Sequence, residues 1–200
     1  VLGILLLSLP VAAQDASSIE FDLALQHDSL AVLLDLSFLL TSAHISRLRD
    51  GIDLGIECRL TVRRPRRLFG SVRLAEQSRF CRLGYQLLSK SYQLTIVRPA
   101  RTDTVTLSSL SRLHAYLTDS ITFTLINLDS LDAESRHILD IEISAISLNS
   151  INLASGEDEP AADQSPLKLL FEQFLVLTDY GRETFSTSSR PFSRAEITSR

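Results

Sequence analysis

Residues 56 to 63 read Ile-Glu-Cys-Arg-Leu-Thr-Val-Arg, an unbroken alternation of apolar and polar side chains. Successive side chains on a strand point to opposite faces, whereas a helix returns to one face only every 3.6 residues. Ile56, Cys58, Leu60 and Val62 therefore share a buried face only on an extended backbone, with Glu57, Arg59, Thr61 and Arg63 opposite. A strand buried on one face alone belongs to an antiparallel sheet. The alternation returns in residues 72 to 87 and 91 to 98, which read as a hairpin around Leu88-Ser89-Lys90. Its expected buried face carries Cys81, Leu83 and Tyr85, then Tyr92, Leu94 and Ile96.

The same pattern organises most of the chain. Ile19, Phe21, Leu23 and Leu25 mark a strand, and Leu30, Val32, Leu34, Leu36, Phe38 and Leu40 mark a longer one. That second strand is also apolar at Ala31, Leu33 and Leu39, so it reads as central. A helix capped by Thr41 or Ser42 follows, with Ile45 and Leu48 inward, and Gly51 ends it. A second amphipathic helix runs through Leu107, Leu110, Leu113 and Leu117 with Ser108 as N-cap. Strands return at 121 to 128 and 136 to 153. About seven strands with two to three packed helices predict an α+β fold, predominantly antiparallel sheet. An all-β sandwich with peripheral helices is the alternative. With 44% apolar and 22% charged residues, the chain can bury a core.

The ends differ from the middle. Residues 1 to 13 carry an apolar run of about a dozen, short of the ~20 that span a bilayer. Val11 and Ala13 supply small residues before Gln14, so the run reads as a signal peptide over 1–13. A buried core strand and an uncleaved anchor are the other readings. The expected organisation is then an α+β domain over 18–153 and an acidic linker over 154–165. Residues 166–200 would form an amphipathic helix begun by Pro166, with Leu167, Leu170, Phe171 and Phe174 on one side, and a loose or extended tail. Export would place the protein in the periplasm or envelope, where disulfides persist. Cys58 and Cys81 lie on apolar faces of neighbouring strands, as a possible disulfide or as two small buried hydrophobes.

Charge is strongly segregated. From Arg59 to Arg82 eight arginines face Glu76 alone, a formal +7, in a chain of net charge −4. From Asp129 to Asp163 nine acids face Arg136 alone, a formal −8. Screening over ~8 Å at physiological salt makes such patches act locally. The arginines are expected on the outward face and loop of the hairpin. Arg63, Arg64, Arg66, Arg67 and Arg82 are the candidate contact residues, with Tyr85 and Tyr92 adding area. Such a surface suits an acidic partner protein or an anionic envelope component. The same arginines could equally lay their stems over an apolar sheet and be neutralised by the chain's own acids.

Nothing in the sequence places a catalytic centre. His27, His44, His114 and His137 are scattered, and the seven glycines form no phosphate loop, dinucleotide fingerprint or nucleophile elbow. Asp140 and Glu142 share a strand face, but exposed alternating charge explains them. No cofactor or metal site is expected, and the lack of aromatic interleaving argues against nucleic acid. Leu-rich strand faces leave a second function class open, a carrier of an apolar or lipid ligand.

The stretches Asp35–Leu40, Ile45–Arg67, Phe80–Leu94 and Ser109–Leu117, with the strand Arg136–Leu148, resemble the bacterial family catalogued as domain of unknown function 4390. The resemblance is carried by a helix ending in Gly51-Ile52, a strand entering an Arg-rich hairpin, and Arg82, Leu83, Tyr85, Leu88, Tyr92 and Leu94. The tail from Ser165 to Phe192 is similar to a subset of members. Many members carry tryptophans in the hairpin and a Leu-Pro motif after the late strand; this chain has neither. The resemblance implies a signal peptide, an envelope location and no assigned activity or catalytic residues. Genes beside membrane sensor kinases in some genomes imply a link to envelope signalling. The expectation is an exported, non-enzymatic binding or accessory protein.

Overall fold

The computed structural model describes residues 19–66, 70–98, 101–119, 121–148 and 182–198. In chain order the strands are β1 (Phe21–Gln26), β2 (Ser29–Leu34), β3 (Asp53–Pro65), β4 (Ser71–Gln86) and β5 (Ser91–Arg98). They continue with β6 (Arg101–Leu107), β7 (Thr122–Asn127), β8 (Ile138–Leu148) and β9 (Arg182–Ser188). The helices are α1 (Ser42–Arg49), α2 (Leu110–Asp119) and the short α3 (Arg194–Thr198). All strand pairs are antiparallel, in a six-stranded sheet ordered β6-β5-β4-β3-β8-β9 and a three-stranded sheet ordered β1-β2-β7. The fold is α+β with antiparallel sheets.

One apolar cluster joins the two sheets. β2 contributes Leu30, Val32 and Leu34, β7 contributes Phe123, and β3 contributes the expected Ile56, Cys58, Leu60 and Val62. Leu83, Leu94, Ile141 and Ile143 come from strands on either side of β3. Helices α1 and α2 add Leu48, Leu113 and Leu117 to the same cluster, which is why they are more than decoration on a sandwich. α1 begins as expected: the Thr41 hydroxyl accepts from the His44 backbone N–H at 3.2 Å. It ends at Gly51, whose φ of +83° suits the left-handed position after a helix. Its inward side carries His44 and Leu48, with Ile45 half-buried.

Several elements differ from the sequence expectation. β2 stops at Leu34 because the Asp35 carboxylate accepts from the Ser37 N–H at 2.7 Å and turns the chain into a 3₁₀ turn over Ser37–Leu39. The cap of α2 is Ser109, whose hydroxyl accepts from the Arg112 N–H, because Leu107 belongs to β6. There are nine described strands rather than about seven. β6 and β9 escape notice because they are edge strands with no fully buried side chain, held by backbone bonds along one side. The tail is not loose: β9 pairs with β8, the 137 and 192 backbones exchange two hydrogen bonds, and Phe192 and Ile197 are buried. The expected signal peptide, the expected acidic linker and the amphipathic run of 167–177 lie outside the described residues.

Candidate partner-binding surface

Register assigns each candidate to a face. Cys58 sits opposite Arg79 and Ile143, so these three share the core face; Arg59 sits opposite Ser78 and Glu142 on the outer face. Because β8 pairs with β3, the basic and acidic halves of the sequence become neighbours in one sheet. Arg63 grips the Asp140 carboxylate with two nitrogens, one of them at 3.0 Å. Arg64 meets Asp132 at 3.2 Å, Arg73 meets Glu76, and Arg82 donates to Asp53 at 2.6 Å. Glu57, only 4% exposed, lies 3.1 Å from Arg59 and 3.7 Å from Arg182. Most of the positive charge is thus met from within the chain.

The carboxylates feel it. Burial pushes Asp140 up, but the hydrogen bonds from Arg63 and Ser188 outweigh it and hold the group below the usual range. Hydrogen bonds from Ser135 and the Glu134 backbone, and then the charge of Arg64, lower Asp132.

Arg79 corrects the expectation that the hairpin arginines all face outward. It lies on the core face at the seam of the two sheets, its guanidinium 4.2 Å from the Phe123 ring centre and its Nη1 donating to the Thr122 carbonyl at 2.8 Å. Burial, then the neighbouring Arg98, lower its pKa. The flat guanidinium can stack and donate at once, so a charge is accommodated beside a core.

The expected contact residues do not form one patch. Arg63, Arg64 and Arg66 stand at the β3–β4 turn, while Arg82 pairs with Gly55 at the other end of β3, ~26 Å along the strand. Tyr85 and Tyr92 face each other across β4 and β5 on the core side, ring centres 5.0 Å apart. Tyr92 is 3% exposed, a core residue that cannot present a face to a partner; Tyr85 is half-buried. Arg67 lies outside the described residues. Arg66 is exposed, and among the described residues its side chain has no ion-pair partner.

Cys58 and Cys81 are free buried thiols. Cys81 is opposite Ile56, not Cys58, so the two are diagonal neighbours. Diagonal Cα atoms, typically ~7–8 Å apart, exceed the usual disulfide span. Burial pushes Cys58 well above its ordinary pKa and Cys81 up to about 11. His137 is fully buried, both ring nitrogens without a hydrogen-bond partner among the described residues, and burial lowers its pKa. His44 is also buried, with Nδ1 2.6 Å from the Leu39 carbonyl and Nε2 3.7 Å from Glu183.

An open polar groove of about 480 Å³ on the outer face was not foreseen. Arg59, Thr61, Asp140, Glu142, Ser186 and Ser188 line it. Glu142 and Asp140 were visible in the sequence, but the groove needs β9 to arrive beside them. Two of its charged groups are already engaged: Asp140 accepts from Arg63 and from the Ser188 hydroxyl at 2.6 Å, and Arg59 pairs with Glu57 and Glu76. Among the described residues no group of three or more His, Cys, Asp or Glu could hold a metal.

No described helix is long and apolar enough to cross a membrane. Compared with the curated proteins and with the solved structures, the chain has no match in either. One family model does match, over residues 13–147, and the chain therefore belongs to the family described as domain of unknown function 4390.

Proposed function

We propose that the protein is an exported accessory of the bacterial envelope that works by surface contact, docking an acidic partner protein at the tip of the β3–β4 hairpin. The observation that carries this reading is Arg66. Its neighbours Arg63 and Arg64 are matched by Asp140 and Asp132, while Arg66 stands exposed with no partner among the described residues. Its backbone is fixed by a 3.0 Å bond from its N–H to the Gly70 carbonyl. Among the described residues no strand is hydrogen-bonded in register to the other side of β4 from Ser71 to Gln77, so that edge of the arm is unpaired there. The leader pattern of residues 1 to 13 supports export.

Crosslinking in cells tests it, with a photoreactive residue at position 66 and, as comparison, at position 159. A defined protein adduct at 66 but not at 159 is expected, and in the otherwise unaltered protein Arg66→Glu should abolish co-purification of that partner without moving the thermal midpoint. Adducts at both positions or at neither would overturn the reading.

A further inference from the structure

The opposite end of the six-stranded sheet carries a different surface, ~50 Å from Arg66 along β4. Here β4 turns into β5 through Leu87-Leu88-Ser89-Lys90. Leu88 is fully exposed and Leu87 is 64% exposed. Lone surface leucines are ordinary, but these two are adjacent, at a turn tip, and held out by the structure beneath them. Gln86 bonds Gln93 at 2.9 Å, and the Ser89 hydroxyl contacts both Gln86 at 3.0 Å and Ser91 at 2.7 Å. Lys90 closes the turn with a φ of +50°. The polar side chains knit together below the turn, and the apolar ones are left above it.

The neighbouring segments at this end are basic. Arg47 and Arg49 lie in the last turn of α1, which leads into β3, and Arg112 lies in the first turn of α2, which follows β6. Among the described residues, Lys90, Arg49 and Arg112 have no ion-pair partner. Among the described residues, acids at this end include Asp50, Asp53, which is taken by Arg82, and Glu183, which faces His44. A protruding apolar tip with unmatched cations in its own turn and on neighbouring segments fits a bilayer better than a protein groove. The leucines enter the acyl boundary and the cations meet headgroup phosphates. We propose that the Leu87–Leu88 turn is a membrane-docking tip for an anionic lipid surface, independent of the Arg66 arm.

The chain has no tryptophan, so Leu88→Trp creates a single reporter in the full protein. Its emission should shift to the blue on vesicles of phosphatidylglycerol mixed equally with phosphatidylcholine, and not on phosphatidylcholine alone. Leu25→Trp, at another exposed leucine, should not shift. Lys90→Glu should weaken binding of the reporter protein about tenfold. Because the acidic stretch from Glu157 to Asp163 also follows from this end, the comparison between vesicle charges is decisive. No shift at position 88 on anionic vesicles, an equal shift on neutral ones, or an equal shift at position 25 would overturn the proposal.

Discussion

Asp140 shows how one residue couples charge to stability. Its carboxylate accepts from Arg63 on β3 and Ser188 on β9, so its charged form is favoured by folding. A carboxylate held below its unfolded pKa contributes stability above ~pH 4, and loses it as pH falls through the folded value. Asp140→Asn should therefore lower stability at neutral pH, and the deficit should shrink below about pH 4 in denaturant titrations. Arg63 is more than one third exposed, so solvent screening keeps that neutral deficit near ~1 kcal/mol. The two thiols carry the opposite sign. Cys58 and Cys81 are pushed up by burial, so their neutral forms stabilise the fold below ~pH 9, and that share is lost as pH rises toward 11. At pH 8 a thiol reagent should label neither in the folded protein and both after denaturation. Fast labelling of the folded protein would contradict their burial.

At the scale of elements, the tail makes the most specific commitment. Ser193-Arg194-Ala195-Glu196 is a capping box: the Glu196 carboxylate accepts from the Ser193 N–H at 2.9 Å, and the Glu196 N–H reaches back to the Ser193 hydroxyl at 3.4 Å. That signature was present in the sequence and marks α3. What the sequence did not carry was the bridge of Phe192 to His137, where the ring centres are 6.0 Å apart. Phe192→Ala should cost about 3 kcal/mol, read as a lower midpoint in urea. The β1–β2 turn makes a second prediction. His27 and Asp28 both adopt positive φ, a conformation that strains side-chain-bearing residues. Replacing them with Asn-Gly should raise stability by about 1 kcal/mol in the same measurement.

At the scale of the whole molecule, the two sheets share one apolar cluster, and Arg79 bridges them through Phe123 and Thr122. A single core predicts a single transition: circular dichroism and tyrosine fluorescence should give coincident urea curves. Arg79→Ala should lower that midpoint by about 1–2 kcal/mol, removing a ring contact and a hydrogen bond at the seam. Separate transitions for the two probes would mean that the sheets are independent units. The same architecture separates the two proposed contact surfaces. The β3–β4 tip presents Arg66 at one end, and the β4–β5 turn presents Leu88 at the other.

The sequence by itself determined the strands that are buried on one face, their inward residues and the caps of α1. Each is written within a few residues, because side-chain alternation and capping are local. Ile56, Cys58, Leu60 and Val62 needed no partner to reveal their face. The fate of the arginines was decided only by tertiary structure. Arg63 and Asp140 are 77 residues apart in the chain, and only the pairing of β8 beside β3 brings these members of the basic and acidic blocks together. The edge strands β6 and β9 are legible only once β5 and β8 offer them backbone groups, because their own side chains bury too little to announce them. Arg79 is the clearest case. It was expected on the outward face with the other arginines, and only Phe123, brought across from the other sheet, gives its charge somewhere to rest on the core side.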